Sequence, residues 1–215
     1  VRRWDRDTAR TREEHESMVE AMRAHEIDIL VGTQMVAKGH DLPMVTLVGV
    51  ISADAMLQLP DFRSAERTFQ LLTQVAGRAG RGPAGGSVII QTYNPQHPTI
   101  VMASRHDYHA FFRQEIRFRK QMGYPPYSRL VKLLYSHVKA ETCEREARKL
   151  FEVLQARIAA CGTTVHLTGP LPAFLEKSHG KFRWQILARG TDVSPVLLPD
   201  LPSGWTIDVD PVSVL

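Results

Sequence analysis

Apolar positions in the first part of the chain follow two alternating rhythms. Ile27–Val31, Val45–Ile51 and Ser87–Thr92 are short apolar runs bounded by glycine, proline or charged residues. Such runs predict strands buried on both faces. Between them, Met18, Val19 and Met22 recur at helical spacing in Thr11–His25, and Ala65, Phe69, Leu72, Val75 and Ala76 do so in Arg63–Ala79. A third stripe, formed by Val101, Tyr108, Phe111, Phe112, Ile116 and Phe118, predicts one long helix over Pro98–Met122. Strands that alternate with helices predict a parallel sheet with crossover helices. Ligands of such sheets sit at the carboxyl ends of the strands.

The rhythm changes after Met122. Gly123 is followed by Tyr124, Pro125 and Pro126, and no helix continues through that sequence. Residues 1–124 hold five prolines and residues 125–215 hold eight. A boundary near residue 123 divides the chain into domains 1–123 and 124–215. In the second, a strand at Ser128–Ser136 precedes a helix at Glu141–Ala160, whose stripe is Ala147, Leu150, Phe151, Leu154 and Ile158. Short strands follow at Val165–Thr168, Ala173–Leu175, Arg183–Ala188 and Trp205–Val209, and Pro195 and Pro199 leave room for at most a broken helical turn or two in Val193–Leu201. The expectation is an α/β chain with a parallel-sheet first domain and a small α+β second domain.

Composition narrows the class. With 43% hydrophobic and 23% charged residues the chain is of ordinary globular type, and its apolar runs are of strand length, too short to span a bilayer. Cys143 and Cys161 supply neither a disulfide framework nor a zinc site, which suits a reducing, cytoplasmic setting. The opening RRWDRD reads as neither a signal nor a transit peptide. The chain begins at Val1, so the expectation is a piece of a longer protein. Net charge is +4 and the isoelectric point about 9.2, compatible with a nucleic-acid partner and equally with an ordinary solvated surface. Arginine is denser than lysine between Arg63 and Arg119, and its planar fork suits phosphate.

Two stretches carry candidate chemistry. GTQMVAKGHD, residues 32–41, follows the strand Ile27–Val31 directly. Gly32 and Thr33 there offer backbone N–H groups and a hydroxyl to a phosphate, Gly39 lets the backbone turn, and Asp41 can accept from a sugar hydroxyl. A plain strand-to-helix loop is the other reading. QVAGRAGR, residues 74–81, surrounds Arg78 and Arg81 with Gly77, Ala79 and Gly80. Small neighbours admit another surface, and two guanidinium groups three residues apart share one side of a helical turn, a geometry for a triphosphate in transit. The alternative is a helix C-terminus with arginines favoured by the dipole and a glycine cap.

Together, and separated by Ser52-Ala-Asp54 and by DFRSAER at 61–67, these stretches resemble motifs V and VI of superfamily 2 helicases. GTQMVAKGHD, DFRSAER and QVAGRAGR, with GYPPYS at 123–128, GPLP at 169–172, KFRWQ at 181–185 and DVDP at 208–211, most closely resemble the primosomal protein N′ (PriA) family of replication-restart DNA helicases, over essentially the whole chain. The resemblance implies that 1–123 is the second RecA-like lobe, incomplete at its N-terminus, and 124–215 the family's C-terminal, DNA-binding domain. It implies ATP-driven 3′-to-5′ unwinding at stalled or abandoned forks, then primosome assembly. Arg78 and Arg81 would be arginine fingers, Gln74 would sense the nucleotide or its attacking water, and Gly77 would give close approach. Gly39 and Asp41 would lie near the nucleotide, and Thr33 and Lys38 on the DNA backbone. Implied partners are single-stranded and forked DNA, primosome proteins and single-strand-binding protein, with no membrane, for a monomer. A non-catalytic DNA-binding or adaptor module derived from such a helicase is the alternative.

The chain contains no G-x-x-x-x-G-K-[ST] phosphate loop, no acidic Mg²⁺ motif and no cluster of zinc cysteines. ATP and Mg²⁺ would be shared with a first lobe, and the family's zinc ligands are absent from this chain. Within KFRWQ, Lys181 and Arg183 alternate with Phe182 and Trp184. That pattern fits either a single-strand-binding surface or a half-buried strand. Asp208 and Asp210 are expected to cap the final turn rather than bind metal.

Overall fold

In a computed structural model, residues 1–5, 11–33, 45–77, 79, 85–197 and 201–215 are described. They form two units, one of residues 1–59 and 64–112, the other of residues 60–63 and 113–215.

In the first unit, β1 (Arg2–Trp4) precedes α1 (Arg12–Arg23), which Thr11 starts by a reciprocal cap: its hydroxyl accepts from the Glu14 N–H and the Glu14 carboxylate accepts from the Thr11 N–H. β1 pairs in parallel with β2 (Leu30–Gly32), with Trp4 opposite Gly32. Trp4 is wholly buried beside Val19 and donates its indole N–H to His15 Nδ1 at 2.8 Å. β3 (Leu47–Val50), α2 (Asp54–Leu57), α3 (Ser64–Ala76) and β4 (Ser87–Ile90) follow, and β3 and β4 pair in parallel from Leu47–Ser87 to Val50–Ile90. The core here is Ala53, Phe69, Leu72, Ile100, Ala103 and Phe111, with the Phe69 and Phe111 rings stacked at 4.3 Å.

Two expectations are corrected in this unit. The strands are not buried on both faces: along β3 and β4 exposed and half-buried residues alternate. Val50 and Ile90 pack against the core, whereas Leu47 and Ile89 stay exposed, because among the described residues each parallel pair stands two strands wide with an apolar core on one side. The stretch 98–122 is two helices, α4 (Pro98–Ser104) and α5 (Tyr108–Met122). Asp107 splits them: its carboxylate accepts from the Ala110 N–H at 2.9 Å, as an N-cap does, and His106 ahead of it turns the chain at φ 54°. The division between the units falls within α5, after Phe112.

The second unit is a four-stranded antiparallel sheet in the order β6-β7-β5-β8, made of β5 (Arg129–His137), β6 (Val165–Ser178), β7 (Lys181–Gly190) and β8 (Trp205–Val209). The long helix α6 (Ala140–Cys161) covers one face, burying Cys143, Ala147, Leu150 and Leu154 against Val131, Leu133, Ile186 and Ala188. A 3₁₀ turn at Ser194–Val196, which contains Pro195, lies in the stretch Val193–Leu201 expected to hold at most a broken helical turn or two. The segments expected as two strands, Val165–Thr168 and Ala173–Leu175, are corrected to the single strand β6, whose register against β7 shifts after Thr168 and again after Pro172. Gly169 makes the first shift possible: at φ 112° it lies so near β7 that a Cβ there would meet the Gln185 carbonyl oxygen at 2.8 Å. His179 and Gly180, both at positive φ, close β6 onto β7 with Ser178 opposite Lys181, as a two-residue hairpin turn requires.

Candidate nucleotide and DNA site

The carboxyl ends of the parallel strands carry the first set of candidates. Thr33 leaves β2 and is exposed. At the ends of β3 and β4, Asp54 is buried, and its carboxylate accepts from the Thr92 hydroxyl at 2.8 Å and the Tyr93 N–H at 2.9 Å. Those two donors, the Tyr93 N–H foremost, hold the carboxyl below its ordinary range. Asp54 therefore serves the loops that flank the site, and sequence reasoning did not assign it that task. The signal that could have found it is an acidic residue at a strand end with a Thr at the end of the next strand.

Gln74 occupies the last turn of α3, exposed. Gly77 follows, its N–H donating to the Thr73 carbonyl at 3.1 Å, and a Cβ there would lie 3.5 Å or more from its nearest neighbours. Gly77 is thus exposed, and among the described residues a Cβ there would meet only ordinary van der Waals contacts. Arg78 and Arg81, and likewise Lys38, Gly39 and Asp41, lie outside the described residues. The structure therefore brings together no complete set of the expected nucleotide residues.

The second set sits on β7, in the other unit. Phe182 and Trp184 pack against the core under α6, with the Lys177 ammonium 5.1 Å from the Phe182 ring centre. Both residues are half-buried there. Lys181 is exposed and Arg183, opposite Ser136 of β5, is half-buried on the reverse face. On that face also lies Lys132, 7% exposed, which donates to the Leu215 carbonyl oxygen at 2.6 Å. Burial first, then the nearby Arg183 charge, push the Lys132 pKa down, while Asp208 and Asp61 oppose the shift. Asp210 accepts from both Nε and Nη2 of Arg129 and from the Leu130 N–H, so it fastens the end of β8 to the start of β5.

Metal chemistry finds no footing in the described residues. None of them form a group of three or more His, Cys, Asp or Glu that could hold an ion. Cys143 is buried with its thiol against the His137 and Phe182 carbonyls, and Cys161 is exposed on its own. Among the described residues the donor set fits neither zinc nor Mg²⁺. Among the described residues no helix is long and apolar enough to cross a membrane.

Comparison with known proteins supplies the context. Residues 6–83 match the helicase conserved C-terminal domain, and residues 120–212 match the primosomal protein N C-terminal domain. The chain is 43% identical to replication restart protein PriA of Synechocystis over 99% of its own length and 26% of that protein. It is 44% identical to the protein of the same name from Bacillus subtilis over 88% of its length and 23% of the relative, and 38% identical to that of Treponema pallidum over its full length and 34% of the relative. The chain thus spans 23% to 34% of the length of these relatives. The order of the two domain matches along one chain, with agreement that reaches from end to end, shows that the chain belongs to the PriA family of replication restart proteins.

Proposed function

We propose that this chain is the part of an ATP-driven 3′-to-5′ DNA helicase that completes the nucleotide pocket and adds DNA contacts, in a protein that restarts replication at stalled or abandoned forks. One observation carries the reading most directly. The last turn of α3 exposes Gln74, Gly77 just after it is exposed, and in sequence Arg78 and Arg81 follow inside the stretch that matches a helicase C-terminal domain. Two guanidinium groups three residues apart in sequence are suited to the charge that develops on a transferred phosphoryl group.

In this reading residues 1–123 form the motor lobe and 124–215 the C-terminal domain. ATP and Mg²⁺ are gripped by a phosphate loop on another lobe, since none occurs in these 215 residues. Gln74 orients the nucleotide or its attacking water, Gly39 and Asp41 line the nucleotide side, and Thr33 and Lys38 meet the DNA backbone. Lys181 and Arg183 neutralise phosphates on the antiparallel sheet. Primosome proteins and single-strand-binding protein are the partners implied, in the cytoplasm.

The test is Arg81→Ala in the complete protein. DNA-stimulated ATP hydrolysis should fall by about 10³-fold, the scale of arginine fingers, with affinity for forked DNA retained. An unchanged turnover number removes the assignment.

A further inference from the structure

The hairpin of β6 and β7 is irregular near its tip. Pro172 pairs with Trp184 and Lys177 pairs with Phe182, so the four residues Ala173–Glu176 stand opposite Arg183 alone. Extra residues in one strand bend it and re-aim its side chains. Ala173 is 3% exposed, whereas Phe174 and Leu175 beside it are 50% and 60% exposed. Leu171, just before the bulge, is 52% exposed. β6 is an edge strand of the four-stranded sheet, so among the described residues no further strand pairs along its outer side. On the facing strand Phe182 and Trp184 pack against the core. The bulge leaves half of the Phe174 surface in water instead.

The charge around this apolar group is one-sided. Lys177, Lys181 and Arg183 lie along the same hairpin, and Glu176 is the one acid between Leu171 and Arg183. Lys177 and Lys181 are exposed and Arg183 is half-buried. An apolar helix face would gain nothing from three cations at its margin. A ligand with flat apolar faces strung along a line of negative charge fits both features, and single-stranded DNA has that chemistry. A duplex closes its base faces against one another. We infer that the β6 bulge is a base-stacking site, where Phe174 stacks on an unpaired base of single-stranded DNA, with Leu175 beside it, while Lys181 and Arg183 meet the neighbouring phosphates. This rests on the reading, proposed above, that the hairpin meets DNA. It assigns to β6 the grip on bases that the cations of β7 cannot supply.

The experiment uses the complete protein as wild type, Phe174→Ala, Phe174→Trp and Lys181→Ala. Affinity is measured by fluorescence anisotropy, across salt concentrations, for an oligothymidylate and for an abasic strand of the same length. Phe174→Ala should weaken binding to the oligothymidylate by about tenfold, the scale for loss of one stack between a base and an aromatic ring. The slope of log affinity against log salt should stay as in wild type, since no phosphate contact is lost. On the abasic strand Phe174→Ala should bind as wild type does. Phe174→Trp should keep the affinity, and the emission of its added indole should be quenched by unlabelled oligothymidylate and not by the abasic strand. Wild-type affinity of Phe174→Ala for oligothymidylate overturns the inference and leaves the exposed apolar group as a surface for another protein. An equal loss on both strands, an unquenched indole, or a wild type that does not distinguish the two strands overturns it as well. The two readings separate by variant. If Lys181→Ala flattens the salt slope and Phe174→Ala changes nothing, the stacking site alone fails. If Lys181→Ala keeps the slope while Phe174→Ala loses affinity for oligothymidylate only, the phosphate assignment fails and the stacking site stands.

Discussion

The Thr92 hydroxyl donates to the buried Asp54 carboxylate at 2.8 Å, joining the loops that leave β3 and β4 at their carboxyl ends. The carboxylate is held below its ordinary pKa of 3.8. A group whose folded pKa is depressed contributes stability above its unfolded pKa and loses it as pH falls through the folded value. The wild-type chain should therefore lose this contribution below pH 3.8. Asp54→Asn should be less stable at neutral pH and show a shallower acid limb, measured by denaturant unfolding across pH.

Lys132 gives the opposite limb. Burial lowers its pKa from 10.5, so the unfolded chain binds that proton more tightly than the folded one. Stability attributable to this site therefore rises with pH through the window that ends at the ordinary lysine value. Lys132→Met should abolish that rise, which thermal unfolding between neutral pH and pH 10.5 would detect.

The 215-residue chain alone should show no ATP hydrolysis above background, with or without DNA. Arginine fingers act on a phosphate chain held by other groups, and the sequence has no phosphate loop to hold one. A coupled-enzyme assay on the purified chain checks this, and DNA-stimulated turnover would refute it.

On β7 the aromatic and basic residues should separate cleanly. Trp184→Ala should cost about 1.5–3 kcal/mol in unfolding free energy, the scale for one large apolar side chain, and leave the salt dependence of DNA binding alone. Lys181→Ala and Arg183→Ala should each flatten the plot of log affinity against log salt by about 0.7 for single-stranded DNA. Equal slopes for wild type and the basic variants would remove these residues from the DNA surface.

Local pattern in the sequence found what local physics decides. Trp205–Val209 was expected with the bounds observed, since Gly204 and Pro211 bracket an alternating run. The stripe at Phe69 and Leu72 reached the core as its spacing implied. Pattern failed where a short polar side chain overrode it: the apolar stripe of 98–122 runs past Asp107, whose cap starts a second helix. It failed again in β6, expected as the two strands Val165–Thr168 and Ala173–Leu175, where the chain stays paired across two register shifts. Asp61 was legible only as part of a motif, because its partners lie 152 and 153 residues away and nothing local announces them. KFRWQ was legible as an alternating strand, but which side faced the core needed α6 in place.

His179 and Gly180 alone close the hairpin that delivers β7. Side chains of a strand change sides with every residue. A slip of β7 by one position would drive Arg183 toward Leu150 and Leu154 and turn the Trp184 indole out to water. The two-residue loop that sets Ser178 opposite Lys181 thus fixes the parity on which the separation of charge from core along the strand depends.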